Sequence, residues 1–300
     1  MNQVLLVGLG GIGFEYDLYQ SNSIETHAKA LTLSSDYQLI AAVDLNKQKL
    51  QKFKSHFPGV KTHSKIGNVF EEAPNINIAV VSVPTDKHLD ALIELQIFKN
   101  IKYIILEKPA GKNLCQGKKI QQLMQDNNWE CYVNYIRRTE SSIGQIKMQL
   151  SDSPDIKVRC FFSGEWSNIG VHFIDLFLYI FDLFGKNYVI NKHQNTLTIQ
   201  YGYISISIEN IVFEDAGNAF YEFYIYTPEY KFYCLDGGYD IFSKQMNILS
   251  GQKIEIENKM FQYQKSFYIE LNKIISGYMD NMSLATLSQS LEIHKILEEI

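Results

Sequence analysis

The chain has 300 residues, of which 46% are hydrophobic and 20% are charged, and its formal net charge is -5. This composition is that of an ordinary globular protein with a full hydrophobic core, and the length suffices for one large domain or two smaller ones. Because the charge is negative and Lys and Arg form no stripe, nucleic acid and anionic membranes are excluded as main partners.

The start of the chain and its cysteines favour a cytoplasmic protein. The first three residues lead straight into a strand-like run, without the basic region and cleavage site of a secretory signal. The most apolar stretch, residues 169–185, contains three ionisable side chains and is too short to span a bilayer. No CxxC pair occurs, so we expect buried free thiols and no metal site. The cysteines are Cys115, Cys131, Cys160 and Cys234.

The first part of the chain alternates short apolar runs with amphipathic stretches. The runs are rich in Val, Ile and Leu on both faces, as in buried parallel strands. Two stretches, Thr85–Lys99 and Asn113–Asn127, carry apolar side chains at helical spacing. This alternation predicts an α/β domain with a doubly wound, mostly parallel sheet. The predicted strands are Val4–Val7, Gln38–Val43, Ile78–Val83, Tyr103–Leu106 and Cys131–Asn134.

From about residue 136 the pattern changes. A long helix is followed by a series of strands and two closing helices. Strands paired in series predict an α+β domain with an open, largely antiparallel sheet. We therefore expect one domain over residues 1–135 and a second over residues 136–300. The predicted elements are a helix at Asn168–Phe184, strands at Tyr203–Asn210 and within residues 219–237, and helices near Phe267–Tyr278 and Ser283–Glu299.

A glycine motif, GxGxxG, directly follows the first predicted strand. Its glycines are Gly8, Gly10 and Gly13. Glycine at these positions permits a tight turn, close approach of a pyrophosphate to the backbone and close helix packing. The following helix start supplies free N–H groups, which would include those of Gly11 and Ile12. A purely structural turn is the alternative, but the preceding strand favours a dinucleotide-binding loop.

Asp44 ends the second predicted strand, where a carboxylate can accept hydrogen bonds from the adenosine ribose. It would also repel the extra phosphate of NADP, by about 1 kcal/mol at ~4 Å in water and about 4 kcal/mol at an effective dielectric of about 20. Lys47 is the only cation close by in sequence, and no arginine follows. We therefore expect NAD as the cofactor, with a solvated strand-end aspartate as the alternative.

An insertion is predicted at Phe14–Glu25, because the glycine motif lies farther from Asp44 than the usual ~20 residues. A helix running on from Gly11 would place Glu15 and Asp17 beyond its first turn, with side chains free to point away from a bound anion. The insertion either overhangs the nicotinamide end of the cofactor and contacts substrate, or it is a plain surface loop.

Seven stretches, taken in order, carry a family resemblance: GLGGIG, THAKAL, AAVD, VSVPTDKH, LEKPAGKN, VNYIRR and NIGVHFIDL. They resemble the glucose–fructose oxidoreductase / inositol dehydrogenase / rhizopine catabolism (Gfo/Idh/MocA) family over most of residues 1–185. The closing SLEIHKILEEI is similar to the last helix of that family. YDLYQ with THAKAL, and VNYIRR, resemble members from bacterial surface-polysaccharide biosynthesis.

The resemblance implies a Rossmann domain that binds NAD(P), followed by a substrate-binding domain whose open sheet often forms oligomers. It implies hydride transfer at a hydroxyl carbon of a sugar, nucleotide sugar or polyol. The aromatic strand supports an oligomer, a homodimer or homotetramer. One of its faces can pack on the domain's helix, and the other would be an exposed aromatic patch. The two faces are Tyr221, Phe223 and Ile225, and Phe220, Tyr224 and Tyr226. A non-enzymatic NAD-binding regulator on the same fold, like the family's transcriptional co-repressor, is the main alternative. An NAD-dependent glycosidase is a minor one.

The resemblance also implies which residues carry the chemistry. The lysine of EKP, Lys108, lies beside nicotinamide and substrate in the family, and the Lys–Pro bond is often cis. Alcohol oxidation needs a base for the hydroxyl proton, and partial burial can lower the pKa of a lysine into a useful range. A solvated lysine at a strand end is the alternative.

The long predicted helix carries a polar stripe of Asn168, His172, Asp175 and Tyr179. In the family, an Asp and a His at this helix start face the substrate. Asn168 stands where the family usually has Asp, which removes a charge beside His172 and puts full catalytic competence in question. The alternative for His172 is a half-buried histidine held by Asp175.

Arg137 and Arg138 follow the last predicted strand of the first domain. They would hold a carboxylate or phosphate of the substrate, or form inter-domain salt bridges. The expected catalytic residues are Lys108, His172 and Asn168. The expected cofactor-binding residues are Gly8, Gly10, Gly11, Ile12, Gly13, Asp44, Pro84, Thr85, His88, Glu107, Lys108 and Pro109. The expected substrate-binding residues are Tyr135, Arg137, Arg138 and Asp175.

Overall fold

The computed structural model describes residues 1–20, 22–150, 153–211, 220–245, 253–257, 259–278 and 283–300. Residue 21 of the expected insertion and residue 219 of the aromatic run lie outside these ranges. The chain divides into two compact units. The first unit comprises residues 1–136 and 261–291, and the second comprises residues 137–260 and 292–300.

Strands and helices are numbered along the chain. The strands are β1 (Asn2–Val7), β2 (Tyr37–Val43), β3 (Lys61–His63), β4 (Ile78–Val81), β5 (Tyr103–Leu106), β6 (Glu130–Val133), β7 (Ile156–Phe162), β8 (Val189–His193), β9 (Thr196–Tyr201), β10 (Ile204–Asn210), β11 (Tyr221–Tyr226), β12 (Tyr230–Leu235), β13 (Asp240–Gln245), β14 (Ile254–Glu255) and β15 (Ala285–Thr286).

The helices differ in length and are joined by shorter helical turns. The α-helices are α1 (His27–Thr32), α2 (Lys47–His56), α3 (Ile66–Glu72), α4 (His88–Glu94), α5 (Leu114–Asn127), α6 (Ser141–Leu150), α7 (Val171–Ile180), α8 (Tyr263–Ile275) and α9 (Leu287–Glu298). Single π-helical turns span Gly11–Glu15 and Trp166–Gly170, and 3₁₀ turns span Thr85–Lys87, Leu95–Ile97, Ile136–Thr139, Asp236–Gly238 and Met260–Gln262.

The first unit contains a seven-stranded sheet in the order β15-β6-β5-β4-β1-β2-β3. All neighbouring pairs are parallel except β15 with β6. This confirms the predicted doubly wound, mostly parallel sheet. The strand order reverses between β1 and β4, and in such sheets the crevice beyond the carboxyl ends of those strands is where ligands bind.

Residues 261–291 lie with the first unit, although the sequence placed them in a continuous second domain. The physical reason is burial. In α8, Phe267, Tyr268 and Leu271 join the same apolar core as the side chains of β1 and β2, and β15 adds an antiparallel strand to β6. Helix α8 begins one turn earlier than predicted and ends before Gly277, whose φ is +81°.

The second unit contains an eight-stranded sheet in the order β14-β13-β12-β11-β7-β10-β9-β8. Its pairs are antiparallel except β7 with β10, which confirms the open, largely antiparallel sheet. Residues of β11 alternate as the sequence predicts. Phe223 is buried against Phe177 of α7, with ring centroids 5.5 Å apart, whereas Tyr224 and Tyr226 lie half-buried on the opposite face.

The long helix predicted at Asn168–Phe184 is shorter and irregular at its start. A π-helical turn over Trp166–Gly170 precedes α7, which ends at Ile180. Asp182 then adopts a left-handed φ of 51°, a conformation that Asp tolerates and a helix does not continue through. Residues 171–178 are all buried, so the expected polar stripe is not an exposed one.

Candidate functional site

The glycine loop after β1 is shaped by close backbone contacts. Gly8 has a φ of +100°, and a Cβ there would lie 2.6 Å from the carbonyl carbon of Ser82. A Cβ on Gly13 would collide with the carbonyl oxygen of Gly8. The Ser82 hydroxyl donates to that same oxygen at 2.8 Å. The loop therefore presents bare backbone, as a pyrophosphate requires; Gly10, Gly11 and Ile12 are half-exposed.

Asp44 lies at the end of β2 with both carboxylate oxygens engaged. Oδ2 accepts from the backbone N–H of Leu9 at 2.8 Å, and Oδ1 accepts from the N–H of Asn46 at 2.8 Å. Each oxygen retains a lone pair for a further donor, such as a ribose hydroxyl. Asp44 thus fixes the glycine loop against β2 and keeps the capacity to bind a ribose.

A cation that the sequence interpretation missed lies beside this loop. The Nζ atom of Lys49 lies 3.7 Å from the position that a Cβ on Gly10 would occupy. Lys49 is in the first turn of α2, which Asn46 caps by accepting from the N–H groups of Gln48 and Lys49 at 2.9 and 3.3 Å. The sequence pointed to Lys47 because proximity along the chain was the only available guide.

The acidic residues after the glycine loop have partners of their own. Asp17 is buried, and its carboxylate accepts from the backbone N–H groups of Glu25 and Thr26 at 2.7 and 3.0 Å and from the Thr26 hydroxyl at 2.8 Å. It therefore ties the insertion to the start of α1. Glu15 lies 3.4 Å from the Nζ atom of Lys52. Neither carboxylate is left free at the anion site.

Phe14, at the start of the insertion, packs edge-on against Phe53 of α2, with ring centroids 4.9 Å apart. Tyr16 and Tyr19 are exposed, and the Tyr16 ring lies against Gly11. The insertion is therefore anchored at Phe14 and Asp17 rather than being a plain surface loop. Whether its exposed tyrosines contact a substrate stays a prediction.

Lys108 follows β5 at the same sheet edge as the glycine loop. Lys108 and Pro109 are half-buried, and the peptide bond between them is cis. Glu107 is buried; its Oε1 accepts from His27 Nε2 at 3.0 Å and from Asn134 Nδ2 at 2.6 Å. Burial by itself would raise the pKa of Glu107, but His27, Asn134 and the Lys108 charge outweigh it and lower that pKa.

His88, expected at the cofactor, is fully buried. Its Nε2 lies 3.1 Å from the carbonyl oxygen of Val83 and its Nδ1 lies 3.2 Å from that of Ala110. Burial lowers its pKa, although the two carbonyl contacts act in the opposite direction. His88 thus joins the loop after β4 to the loop after Lys108. Pro84 is exposed and Thr85 half-buried in that first loop.

In the second unit, His172 lies in the first turn of α7 and is 8% exposed. Asn168 lies in the preceding π-helical turn and is exposed. The sequence spacing therefore places the two residues on adjoining turns, as expected. Their roles stay predictions.

Arg138 and Asp175 bind each other inside the second unit. The guanidinium donates to both carboxylate oxygens, from Nε at 2.7 Å and from Nη2 at 2.5 Å, and both side chains are fully buried. Burial raises the pKa of Asp175 to about 6, against the lowering effect of Arg138. In this conformation the pair holds the 3₁₀ turn at Ile136–Thr139 against α7, and neither charge is available to a substrate.

Arg137 is half-buried and stacks on the Tyr221 ring, with its guanidinium carbon 4.1 Å from the centroid. Its Nη1 donates to the Tyr221 hydroxyl at 2.5 Å, while its Nε has no hydrogen-bond partner among the described residues. Arg137 lines a small recess within the second unit, together with Glu140 and Cys234. Tyr135, in the first unit, is buried, and its hydroxyl lies 3.4 Å from Ser290 Oγ.

Cys131, Cys160 and Cys234 are buried as expected, but Cys115 is exposed. Across the described ranges, no three His, Cys, Asp or Glu side chains are grouped to hold a metal ion. In the same part of the chain, every helix is too short or too polar to cross a bilayer.

The bare glycine loop, the fixed Asp44 and the parallel sheet together define a dinucleotide-binding protein of the Rossmann class. Residues 3–135 match the family described as oxidoreductase family, NAD-binding Rossmann fold (GFO_IDH_MocA). Residues 3–135 therefore belong to the NAD-binding domain of the Gfo/Idh/MocA oxidoreductase family, which confirms the resemblance that the motifs in this part of the chain carry. No curated protein sequence matches the chain.

Solved structures resemble the whole chain in fold. A dehydrogenase (MviM) from Clostridium difficile has a TM-score of 0.75 at 16% identity, covering 99% of this chain and 98% of its own. An oxidoreductase from Agrobacterium radiobacter, solved with NAD+, L-tartaric acid and magnesium, has a TM-score of 0.72 at 12% identity, covering 99% and 94%. A Gal80p super-repressor mutant from Saccharomyces cerevisiae has a TM-score of 0.74 at 14% identity, covering 99% and 94%.

Proposed function

We propose that this protein is an NAD-dependent oxidoreductase that transfers hydride at a hydroxyl carbon of a sugar, nucleotide sugar or polyol. One observation carries the proposal. Within the first unit, Lys108 follows β5 at the same sheet edge as the glycine loop after β1 and Asp44 after β2. Because carboxyl ends of parallel strands meet at one edge, a dinucleotide held by the glycine loop would extend along the edge that bears the lysine.

The glycine loop would hold the pyrophosphate through backbone N–H groups, and Asp44 would accept from the adenosine ribose. When bound, NAD would accept hydride from the substrate carbon. Lys108 would take the proton from the hydroxyl on that carbon, so the alcohol becomes a carbonyl and the lysine an ammonium. In the reverse direction the same ammonium returns its proton.

His172 is proposed to orient the substrate hydroxyl or to relay its proton. Asn168 provides an amide where the family usually has a carboxylate, so it adds a hydrogen bond and no charge. Arg137 is the substrate-binding arginine that the geometry favours, because Arg138 is committed to Asp175. An anionic substrate, such as a sugar acid or a nucleotide sugar, would suit it.

The substrate class rests on the resemblance and on one neighbour. L-tartaric acid, present in the Agrobacterium radiobacter structure, carries hydroxyl carbons and carboxylates. That chemistry supports a polyhydroxylated, anionic substrate for this chain. A role in bacterial surface-polysaccharide biosynthesis and a cytoplasmic location are part of the same proposal.

A non-enzymatic NAD-binding regulator is the second candidate. Asn168 favours it, because the substitution removes a charge from the expected catalytic pair. The fold likeness to Gal80p, named as a super-repressor mutant, also supports it. On this reading the protein binds NAD and turns over nothing.

The decisive experiment incubates the protein with NAD or NADH and a panel of nucleotide sugars, sugar acids and polyols. Nicotinamide absorbance and sugar products are followed together. We expect turnover of at least one compound, with one carbonyl formed for each NADH. Tight NAD binding without turnover of any compound would replace the enzyme by the regulator, and sugar release without net NADH would indicate a glycosidase.

Variants then test the roles. We expect Lys108→Ala to abolish turnover while NAD binding is retained, and His172→Ala to slow turnover by roughly 100-fold to 10,000-fold. Asn168→Asp should keep activity and move the acidic limb of the pH–rate profile upward, because a nearby negative charge favours the imidazolium. Wild-type rates in both alanine variants would show that this site assignment is wrong.

A further inference from the structure

A hydrogen-bonded cluster, buried in the first unit, includes Glu107, the residue that precedes Lys108. It consists of His27, Glu107, Asn134, Gln264 and Tyr268, which come from α1, the end of β5, the end of β6 and α8. Exposure of these side chains ranges from 0% for His27 and Gln264 to 8% for Glu107. Buried polar groups are costly unless satisfied, so a cluster of this size at one loop calls for a role.

The hydrogen bonds of the cluster meet at His27 and at Glu107. His27 Nε2 donates to Glu107 Oε1 at 3.0 Å, which leaves Nδ1 as the acceptor. The Tyr268 hydroxyl lies 2.8 Å from this Nδ1, and Gln264 Nε2 lies 3.1 Å from it. Both contacts come from α8, an element distant in sequence from both His27 and Glu107, and they favour this tautomer because each group can donate to Nδ1.

Asn134 closes the cluster from the other side. Its Nδ2 donates to Glu107 Oε1 at 2.6 Å and to Gln264 Oε1 at 3.1 Å. Rotating the amide by half a turn would place its oxygen against the Glu107 carboxylate and lose both bonds, so this orientation is fixed. His27 and Asn134 therefore both hold Glu107 Oε1 in place. Gln264 and Tyr268 act one hydrogen bond farther out.

The other carboxylate oxygen of Glu107 contacts the backbone of Lys108. Oε2 accepts from the backbone N–H of Lys108 at 3.3 Å. The carboxylate thus links the core to the backbone that carries the lysine side chain. Its charge also attracts the Lys108 ammonium, which is one reason that the pKa of Glu107 is lowered despite burial. The other titratable groups that interact with Glu107 are His27, His88 and Tyr268.

We propose that this cluster positions Lys108: α8 orients His27, and His27 with Asn134 fixes Glu107, which holds the backbone of Lys108 and keeps a negative charge beside its amine. The inference rests on the proposed role of Lys108 and deepens it. His27, Glu107, Asn134, Gln264 and Tyr268 are positioning residues, since each acts through Lys108 and not on substrate. The carboxylate would also favour the protonated lysine, the form that donates a proton in the reductive direction.

Two tyrosines of the same aromatic group provide a matched test. Tyr268→Phe removes the hydroxyl that contacts His27 Nδ1. Tyr37→Phe removes a hydroxyl that donates to the backbone oxygen of Tyr268 at 2.9 Å. The two rings lie 5.3 Å apart and are similarly buried, so each change deletes one buried hydrogen bond in one core. Only the first change removes a hydrogen bond between side chains of the cluster.

The first readout needs no substrate. Lysine amines of the NAD-free protein are reductively methylated with carbon-13, the Lys108 signal is assigned with Lys108→Arg, and its titration is followed by NMR. We expect Glu107→Gln to lower the pKa of Lys108 by about one unit, because a neighbouring negative charge is lost. Tyr268→Phe should shift it in the same direction by less, and Tyr37→Phe should not shift it.

The second readout is kinetic. With a substrate from the panel, Tyr268→Phe should lower kcat by roughly 10-fold with KM and the Kd for NAD nearly unchanged, since misplacement of a reacting group by ~1 Å can cost about 100-fold. Tyr37→Phe should keep wild-type kcat while losing similar thermal stability. Thermal unfolding of every variant shows which ones are folded.

Equal effects of Tyr268→Phe and Tyr37→Phe on the Lys108 titration would overturn the proposal. An unchanged titration in Glu107→Gln would overturn it too. If Glu107→Gln does not fold, the comparison of the two tyrosine variants decides. The two proposals fail separately. If the wild type turns over no substrate, the oxidoreductase proposal fails, while the NMR titration still decides whether the cluster controls Lys108.

Discussion

Asp44 shows how one carboxylate can serve a loop and a ligand at once. Its two oxygens already accept backbone N–H groups from Leu9 and Asn46, which keeps the charge at a fixed place beside the glycine loop. A fixed carboxylate discriminates better between NAD and NADP than a mobile one, because it cannot move away from the extra phosphate of NADP. Lys49, close to Gly10, acts against the repulsion from Asp44, because its positive charge would attract a phosphate.

We predict that Asp44→Asn reduces the preference for NAD over NADP by about 10-fold, because the lost repulsion is on the order of 1 kcal/mol or more. Dissociation constants for both dinucleotides, measured by titration calorimetry, provide the check. Asp36→Asn is the control, because Asp36 is exposed at the start of the same strand. A wild-type protein that binds NADP more tightly than NAD would contradict the assignment.

The Arg138–Asp175 pair connects two elements of the second unit. Breaking a buried pair leaves an uncompensated charge, which costs far more than an exposed pair is worth. We predict that Asp175→Asn lowers the free energy of unfolding by roughly 3–5 kcal/mol. Chemical denaturation at neutral pH measures it.

Asp182 offers the matched control for that change. It lies 2.5 Å from the Nζ atom of Lys147, but its side chain is 78% exposed. Asn tolerates the left-handed backbone of this position as Asp does, so Asp182→Asn should cost roughly 0–1 kcal/mol. Equal losses in the two variants would show that Arg138 relaxes into solvent when its partner is neutral.

His88 joins two loops of the first unit and makes the stability of that unit depend on pH. Its pKa is lowered by burial, so between that value and about 6.5 the unfolded chain binds more protons than the folded one. Stability from this group is therefore present above about pH 6.5 and is lost as the pH falls below it.

We predict that His88→Gln flattens the loss of stability on going from neutral to mildly acidic pH. Urea denaturation at several pH values measures the slope. His294 has a pKa lowered by burial too, so part of the slope should remain. His56 lies exposed on α2, and His56→Gln should leave the slope unchanged. If His88→Gln keeps the full dependence of the unfolding free energy on pH, that dependence comes from other groups.

The face of the eight-stranded sheet that carries Tyr224 and Tyr226 is the feature of the whole molecule that bears on its assembly. Tyr233 stacks on Phe242 at 4.5 Å, and Tyr224 meets Tyr233 edge-on at 5.8 Å. Lys231 lies over the rings of Tyr226 and Tyr233. A cluster of partly exposed aromatic rings on one face of a sheet favours contact with another chain.

We predict a homo-oligomer in solution, joined through this face. Tyr224→Glu should dissociate it, because the new charge would lie near Glu222, to which the Tyr224 hydroxyl now donates at 2.9 Å. Tyr203→Glu is the control, since Tyr203 is 77% exposed at the turn before β10. Light scattering at micromolar concentration gives the mass. A monomeric wild type would refute the prediction.

Local sequence patterns were enough to predict the two kinds of sheet, the glycine loop and the positions of Asp44 and Lys108. Each depends on residues close together in the chain: apolar runs, alternation, and glycines directly after a strand. The predicted strand at Tyr103–Leu106 agrees with the structure at both ends. The helix predicted from Asn113 begins one residue later, with Asn113 as its cap. Patterns within a few residues predict local structure correctly, because neighbours along the chain restrict the backbone conformation.

The partners of buried charges and hydrogen-bonding groups depend on the folded chain as a whole. Asp175 looked like part of an open stripe until Arg138 was found against it, and His27 meets Tyr268 across 241 positions of sequence. The return of residues 261–291 to the first unit follows from the same cause. A side chain's partner is set by which apolar surfaces bury one another, and that choice depends on the whole chain at once rather than on any local pattern.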